Sequence, residues 1–347
     1  MASARYTFLK ALILLVIFSL FENTVGLAQS EFLPEKQGSL IYQVVNYNNQ
    51  TPSVEISNHQ KNVKALVDYL VQNAPVMKAN KGFDLHIYHS ANDKVNEKTG
   101  KRILKSYQYG MTSEVRFLFE LFIKNGKKWT VEPPGWSFDI NETETGGHGG
   151  MYNDGNPNDY FLVFPFVKEI APGVHYYNCE AQTCGQIVVF NPNRPKYWLP
   201  VTAREVVQAK LKFYNTDKES DKAIYEYIKP LVDALSDEEL NAPAFYGSED
   251  AILNVNGKGQ GLQIMRFNPD YWDRSLPASA IQYFTISYNE FAYNCFNEDD
   301  VRRAKEEYFK NNGHIEYHQE IPHSLNLAKL ADFIQKNNML TKQALSY

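Results

Sequence analysis

The residues best suited to chemistry lie near the C-terminal end, in His314-Ile315-Glu316-Tyr317-His318. Side chains alternate along a strand, so His314, Glu316 and His318 point the same way there. Two imidazoles and a carboxylate at that spacing suit zinc or another divalent ion. Glu320 continues the same face, and His323 lies just beyond it. The competing account is a half-exposed strand with Ile315 and Tyr317 inward and the polar residues in water. The pattern is not the helical His-Glu-x-x-His arrangement and lacks its mechanism. A metal-dependent hydrolase using His314, Glu316 and His318 is therefore an alternative reading.

A second candidate is the glycine cluster around His148, Gly146-Gly147-His148-Gly149-Gly150. Glycines let backbone approach a ligand closely. Asp139, Glu142, Glu144, Asp154 and Asp159 supply oxygens nearby, which suits calcium, although the spacing is not that of the twelve-residue calcium loop. A solvated loop is the plainer account. Trp198, Tyr271 and Trp272 could, if exposed, stack on a sugar ring; tryptophans in such proline-rich turns more often plug a domain seam. No cofactor is required by these patterns, with zinc or calcium the ions to consider.

The chain has three cysteines. Cys179 and Cys184 enclose four residues between two strand-like runs, 174–177 and 186–190. A hairpin would bring their sulfurs within reach of a disulfide that pins the turn. Cys295 is left over and reads as a small buried hydrophobe or, with His314 or His318 as base, a nucleophile. No Gly-x-Ser-x-Gly elbow is present. Gly257-Lys258-Gly259-Gln260-Gly261 resembles a phosphate loop, but the residues after it alternate as a strand, so a hairpin turn is expected.

These residues must be positioned by elements the pattern makes legible. Ser39 to Asn46 reads as a strand. A helix follows over 58–73, with Val63, Leu66, Val67, Leu70 and Val71 on one stripe. The period then changes to two: Phe83, Leu85 and Ile87, then Val115, Phe117, Phe119 and Leu121. Asn125-Gly126 signals a hairpin. This predicts an antiparallel meander with a helix packed on one face. Leu118 and Phe122 on the opposite side imply that the central strand is covered twice. The proline-rich segment 191–200 is expected to be a linker. Beyond it, Thr202 with Glu205 and Ser236 with Glu239 form capping boxes. Helices are expected over 218–235, 297–311 and 324–337, and strands over 262–267, 281–288 and 314–320. The spacing of Asn62 to Asn73 echoes that of Asn326 to Asn337, as two helices with one apolar stripe each often do.

Pro195-Lys196-Tyr197-Trp198-Leu199-Pro200-Val201-Thr202 and Asn268-Pro269-Asp270-Tyr271-Trp272-Asp273 resemble stretches of uncharacterised exported proteins of Bacteroidota. That resemblance implies an exported protein of this bacterial group. It carries no activity and no site.

Bulk properties agree with export. Arg5 and Lys10 precede an apolar run from Ala11 to Phe21, too short to span a bilayer and suited to a signal peptide. Gly26 and Ala28 fit the small positions before a cleavage site, which gives a signal peptide over 1–28. The formal net charge is −5, with no basic cluster, so nucleic acid is not an expected partner. No later stretch reads as a membrane span. The expectation is a periplasmic or secreted α+β protein: a sheet-rich part over 29–194 and a helix-rich part over 195–347, or one continuous domain. The favoured role is non-catalytic binding of an envelope protein or a glycan, with a structural or assembly subunit as a further alternative.

Overall fold

The structure is a computed structural model; it describes residues 33, 35–45, 54–91, 109–122, 126, 128–130, 136–142, 160–178, 184–289 and 326–345. Its centre is the strand Ser113–Phe122 (β3). Val115, Phe117, Phe119 and Leu121 alternate with Glu114, Arg116, Leu118 and Glu120, and the four apolar side chains are buried. Period-two alternation of this kind commits one face of a strand to a core.

Around β3 a nine-stranded sheet is assembled. It comprises β1 (Leu40–Val45), β2 (Phe83–Ala91), β4 (Lys128–Thr130), β5 (Trp136–Ile140), β7 (Phe166–Ala171), β8 (Val174–Asn178), β9 (Cys184–Phe190) and β14 (Tyr283–Asn289). Their order is β1-β2-β3-β5-β14-β9-β8-β7, with β4 also on β3. All pairs are antiparallel except β1 with β2, which is parallel. The antiparallel run expected after residue 83 is present as β2-β3-β4, neighbours in chain order; the parallel pairing belongs to the strand before the helix. Helix α1 (Val54–Asn73) lies between β1 and β2; its 20 residues run roughly 30 Å, returning the chain to the same sheet end. A crossover of that kind gives parallel strands.

Two helices cover one face of this sheet. Val63, Leu66, Val67 and Leu70 of α1 share a core with Leu327, Leu330, Ala331 and Ile334 of the last helix, Leu327–Leu345. The echo seen in sequence therefore has a simple basis: both stripes pack on one surface. Tyr69 and Phe333, which occupy matching positions, touch at 5.1 Å between ring centroids.

A second sheet packs on the other face. Its strands are β6 (Tyr160–Val163), β10 (Trp198–Pro200), β11 (Phe245–Tyr246), β12 (Val255–Asn256) and β13 (Leu262–Phe267). Between the sheets lies an aromatic core: Phe161, Tyr177, Phe190, Tyr197, Trp198, Phe267, Tyr271, Trp272 and Tyr283. On the far side of the second sheet, Leu162 and Ile264 meet three helices, Ala203–Tyr214 (α3), Glu219–Asp233 (α4) and Asp237–Asn241 (α5). Both expected capping boxes are present, at Thr202 and Ser236. With α2 (Pro75–Lys78) beside α1, the last helix is α6. The result is an α+β protein in four layers, helices outside and two sheets within.

Each sheet takes a strand from across the expected boundary at 194: β6 joins the second sheet and β14 inserts between β5 and β9 of the first. The 29–194 and 195–347 parts are thus interleaved. Segment 191–200 is no free linker, because Trp198 pairs with Phe267 and Asn268 bonds to Tyr197 and Lys196. The two stretches quoted for the bacterial resemblance meet here. The 257–261 turn joins β12 to β13, but each pairs with β11 and not with the other, so it is not a hairpin. Among the described residues, no helix is long and apolar enough to cross a membrane.

Candidate functional site

Several residues singled out from sequence lie outside the described residues: His314, Glu316, His318, His148, Cys179 and Cys295. Cys184 begins β9, and β8 and β9 do pair as the cysteine hairpin requires. Trp198, Tyr271 and Trp272 plug the seam between the sheets, the commoner outcome for such turns, and the sugar-stacking reading is corrected. They are 6%, 0% and 2% exposed and pack against Phe267 and Tyr283. Their faces meet other rings, so none is free to stack on a sugar. The reason is the second sheet, whose inner face fills the gap to the first mainly with aromatic side chains.

The structure brings together a set that sequence reading missed. Asp84 and His86 stand two apart on β2 and share a face. Register places Glu120 opposite Asp84. Lys128 enters from β4, which pairs along the end of β3. The His86 Nε2 lies 3.0 Å from Glu120 Oε2, while the Lys128 ammonium donates to Asp84 Oδ2 at 2.7 Å and Glu120 Oε2 at 3.0 Å. The Ser39 backbone N–H donates to the other Asp84 oxygen at 2.7 Å. Among the described residues, Asp84, His86 and Glu120 are the one set of three whose ligating atoms lie within 4.8 Å of one another.

Electrostatics here favour the charged forms. The bond from Lys128 is the main reason the Glu120 carboxyl is held below its usual range. Burial pushes Asp84 upward, but the bonds from Lys128 and Ser39, with the nearby positive charge, outweigh it and lower the group. Lys128 is raised by its bonds to both carboxylates. One atom is left over: His86 Nδ1 is buried without a hydrogen bond. A metal on Nε2 would put the ring proton on that atom, where ligating histidines normally have a carboxylate or carbonyl partner. The donor types fit a divalent ion, but the lysine stands where the three ligating atoms converge.

Further along the same face, register aligns Glu114, Asp139 and Thr285 across β3, β5 and β14. Asp139 is pushed up to about 7, first by burial and then by the charges of Glu114 and Glu142, with Arg116 opposing. Thr285 is near enough to lower it slightly, yet its hydroxyl makes no hydrogen bond of good geometry. Asp139 and Glu142, two of the oxygens considered for calcium, thus face each other's charge.

On the helix-covered face, His59 Nδ1 lies 3.2 Å from the Ser279 carbonyl and its Nε2 3.1 Å from Ser113 Oγ. A carbonyl only accepts, so the proton sits on Nδ1 and Ser113 donates to Nε2. His59 and Ser113 are both fully buried, which makes this a helix-to-sheet tie.

Comparison of the chain with protein-family models, with curated proteins and with solved structures finds no match.

Proposed function

We propose that this chain is an exported protein of the cell envelope that binds a partner or a glycan without converting it. It works in the periplasm or outside the cell, after removal of residues 1–28. The leader pattern of Arg5, Lys10, the run from Ala11 to Phe21, and Gly26-Leu27-Ala28 supports export. One observation supports binding over turnover: the Lys128 ammonium sits between Asp84 and Glu120, at 2.7 and 3.0 Å. A metal on these carboxylates would have to displace that ammonium, which already supplies their cation. Two measurements test the reading. The mature protein should begin at Gln29 by intact mass. Pull-down from envelope extracts or retention on envelope polysaccharide should yield a defined complex. A protein that starts at Met1, or a clean monomer retained by neither, counts against it.

A second reading, metal-assisted hydrolysis, draws support from the convergence of Asp84, His86 and Glu120. Equimolar zinc in the purified protein, lost on His86→Ala, would favour it over simple binding. Zinc lost only on His318→Ala would place the metal on the strand expected from sequence.

A further inference from the structure

A half-open cavity of about 110 Å3 lies where the turn after β9, the turn before β14 and helix α6 meet. Arg194, Asp273, Gln282, Gln335 and Asn338 line it, with Tyr271 as a wall. The space is that of roughly four waters, enough for one edge of a small ligand.

The polar groups fall into two sets. One is fixed. Arg194 donates through Nε to the Tyr271 carbonyl at 2.6 Å and through Nη2 to the Asp270 and Trp272 carbonyls at 2.8 Å. The Gln282 amide is held by the Asp273 backbone on both sides, at 2.8 and 3.2 Å. Tyr271 donates to the Gln282 carbonyl at 2.6 Å. The other set is unspent. Asn338 is 7% exposed, yet its carboxamide has no hydrogen-bond partner among the described residues. Gln335, three residues earlier on α6 and so on the same side of the helix, also has an unpartnered side chain. Neither amide is cut off from solvent, so both are free to offer their donor and acceptor to whatever occupies this one cavity.

The chemistry of the lining narrows the ligand. Arg194 and Asp273 offset each other in formal charge, and the guanidinium is already engaged by three carbonyls, so an anion finds no surplus positive charge. An apolar ligand would leave the amides unpaired. A carboxamide presents donor and acceptor side by side, and two adjacent hydroxyls present the same pair reversed. We infer that this cavity is a subsite for a neutral carbohydrate, taking the vicinal-diol edge of one ring on Gln335 and Asn338. The inference rests on the binding reading above and gives it a ligand class.

Saturation-transfer NMR with the methyl glycosides of glucose, mannose and N-acetylglucosamine, at millimolar concentration, tests it. At least one sugar should show transfer to adjacent ring protons. Asn338→Leu should weaken its binding about threefold to tenfold, the loss of one hydrogen bond, without lowering the melting temperature. Gln335→Leu, at the more exposed of the two positions, serves if the first variant does not fold. Absence of transfer from all three sugars overturns the subsite, as does transfer that these substitutions leave unchanged. A protein that captures an envelope protein but shows no transfer loses the subsite and keeps the binding reading.

Discussion

Lys128 is half-exposed, yet it governs two carboxylates that are not. Replacing it with methionine leaves Asp84 and Glu120 facing each other without their donor. Hydrogen bonds to charged groups contribute roughly 1.5–3 kcal/mol, and the exposure of the lysine places the expected loss toward the lower end. The sign with pH follows from the lowered carboxylates. Their contribution is present above the unfolded carboxylate range and lost as pH falls through the lower folded values. The Lys128→Met defect should therefore be full at pH 7 and shrink toward pH 3, as urea unfolding at both values would report. Asp139 behaves in the opposite sense. Its folded value, about 7, lies above the ordinary carboxylate range, so its contribution is present at acid pH and lost as pH rises toward 7. Asp139→Asn should match wild type near pH 4 and melt at higher temperature than wild type at pH 8; a difference independent of pH would contradict this.

At the scale of elements, the turn from β12 to β13 separates two effects that glycine can hide. Gly259 and Gly261 both have positive φ, 75° and 93°. A Cβ on Gly259 meets nothing, whereas one on Gly261 runs into the Tyr246 carbonyl of β11. Gly259→Ala should cost about 1–2 kcal/mol, the price of a left-handed L-residue. Gly261→Ala adds a clash with backbone and should cost distinctly more. Equal losses on chemical denaturation would mean that the close approach to β11 does not matter. The Thr202 cap on α3 is a local counterpart: Thr202→Ala removes the half of its box in which the hydroxyl accepts from the Glu205 N–H, leaves the backbone N–H of residue 202 on the Glu205 carboxylate, and should cost about 1 kcal/mol.

For the whole molecule, the exchange of β6 and β14 between sheets has a direct consequence. A chain cut between 194 and 195 leaves the first sheet without the strand that bridges β5 and β9, and the second without β6, one of the strands paired with β13. Neither fragment should show a cooperative melt by circular dichroism, whereas the two expressed together should recover one. A cooperative melt of 29–194 alone would argue for separate domains. The same exchange buries Trp198, Tyr271 and Trp272, because the inner faces of both sheets close on them.

What the sequence determined by itself is short in range. The stripe of α1, the alternation of β3, the strand over 262–267 and the boxes at Thr202 and Ser236 depend on neighbours within a few residues, where period and capping act. Of the candidate cluster, only Asp84 and His86 were legible, as alternate positions of one strand. Glu120 and Lys128 joined them through register and through β4, which depend on summing burial over whole strands. The parallel pairing of β1, the crossing of the 194 boundary and the covering of the aromatic turns belong to that same long-range balance. A sheet chooses its neighbours by the total surface it hides, and no local window contains that total.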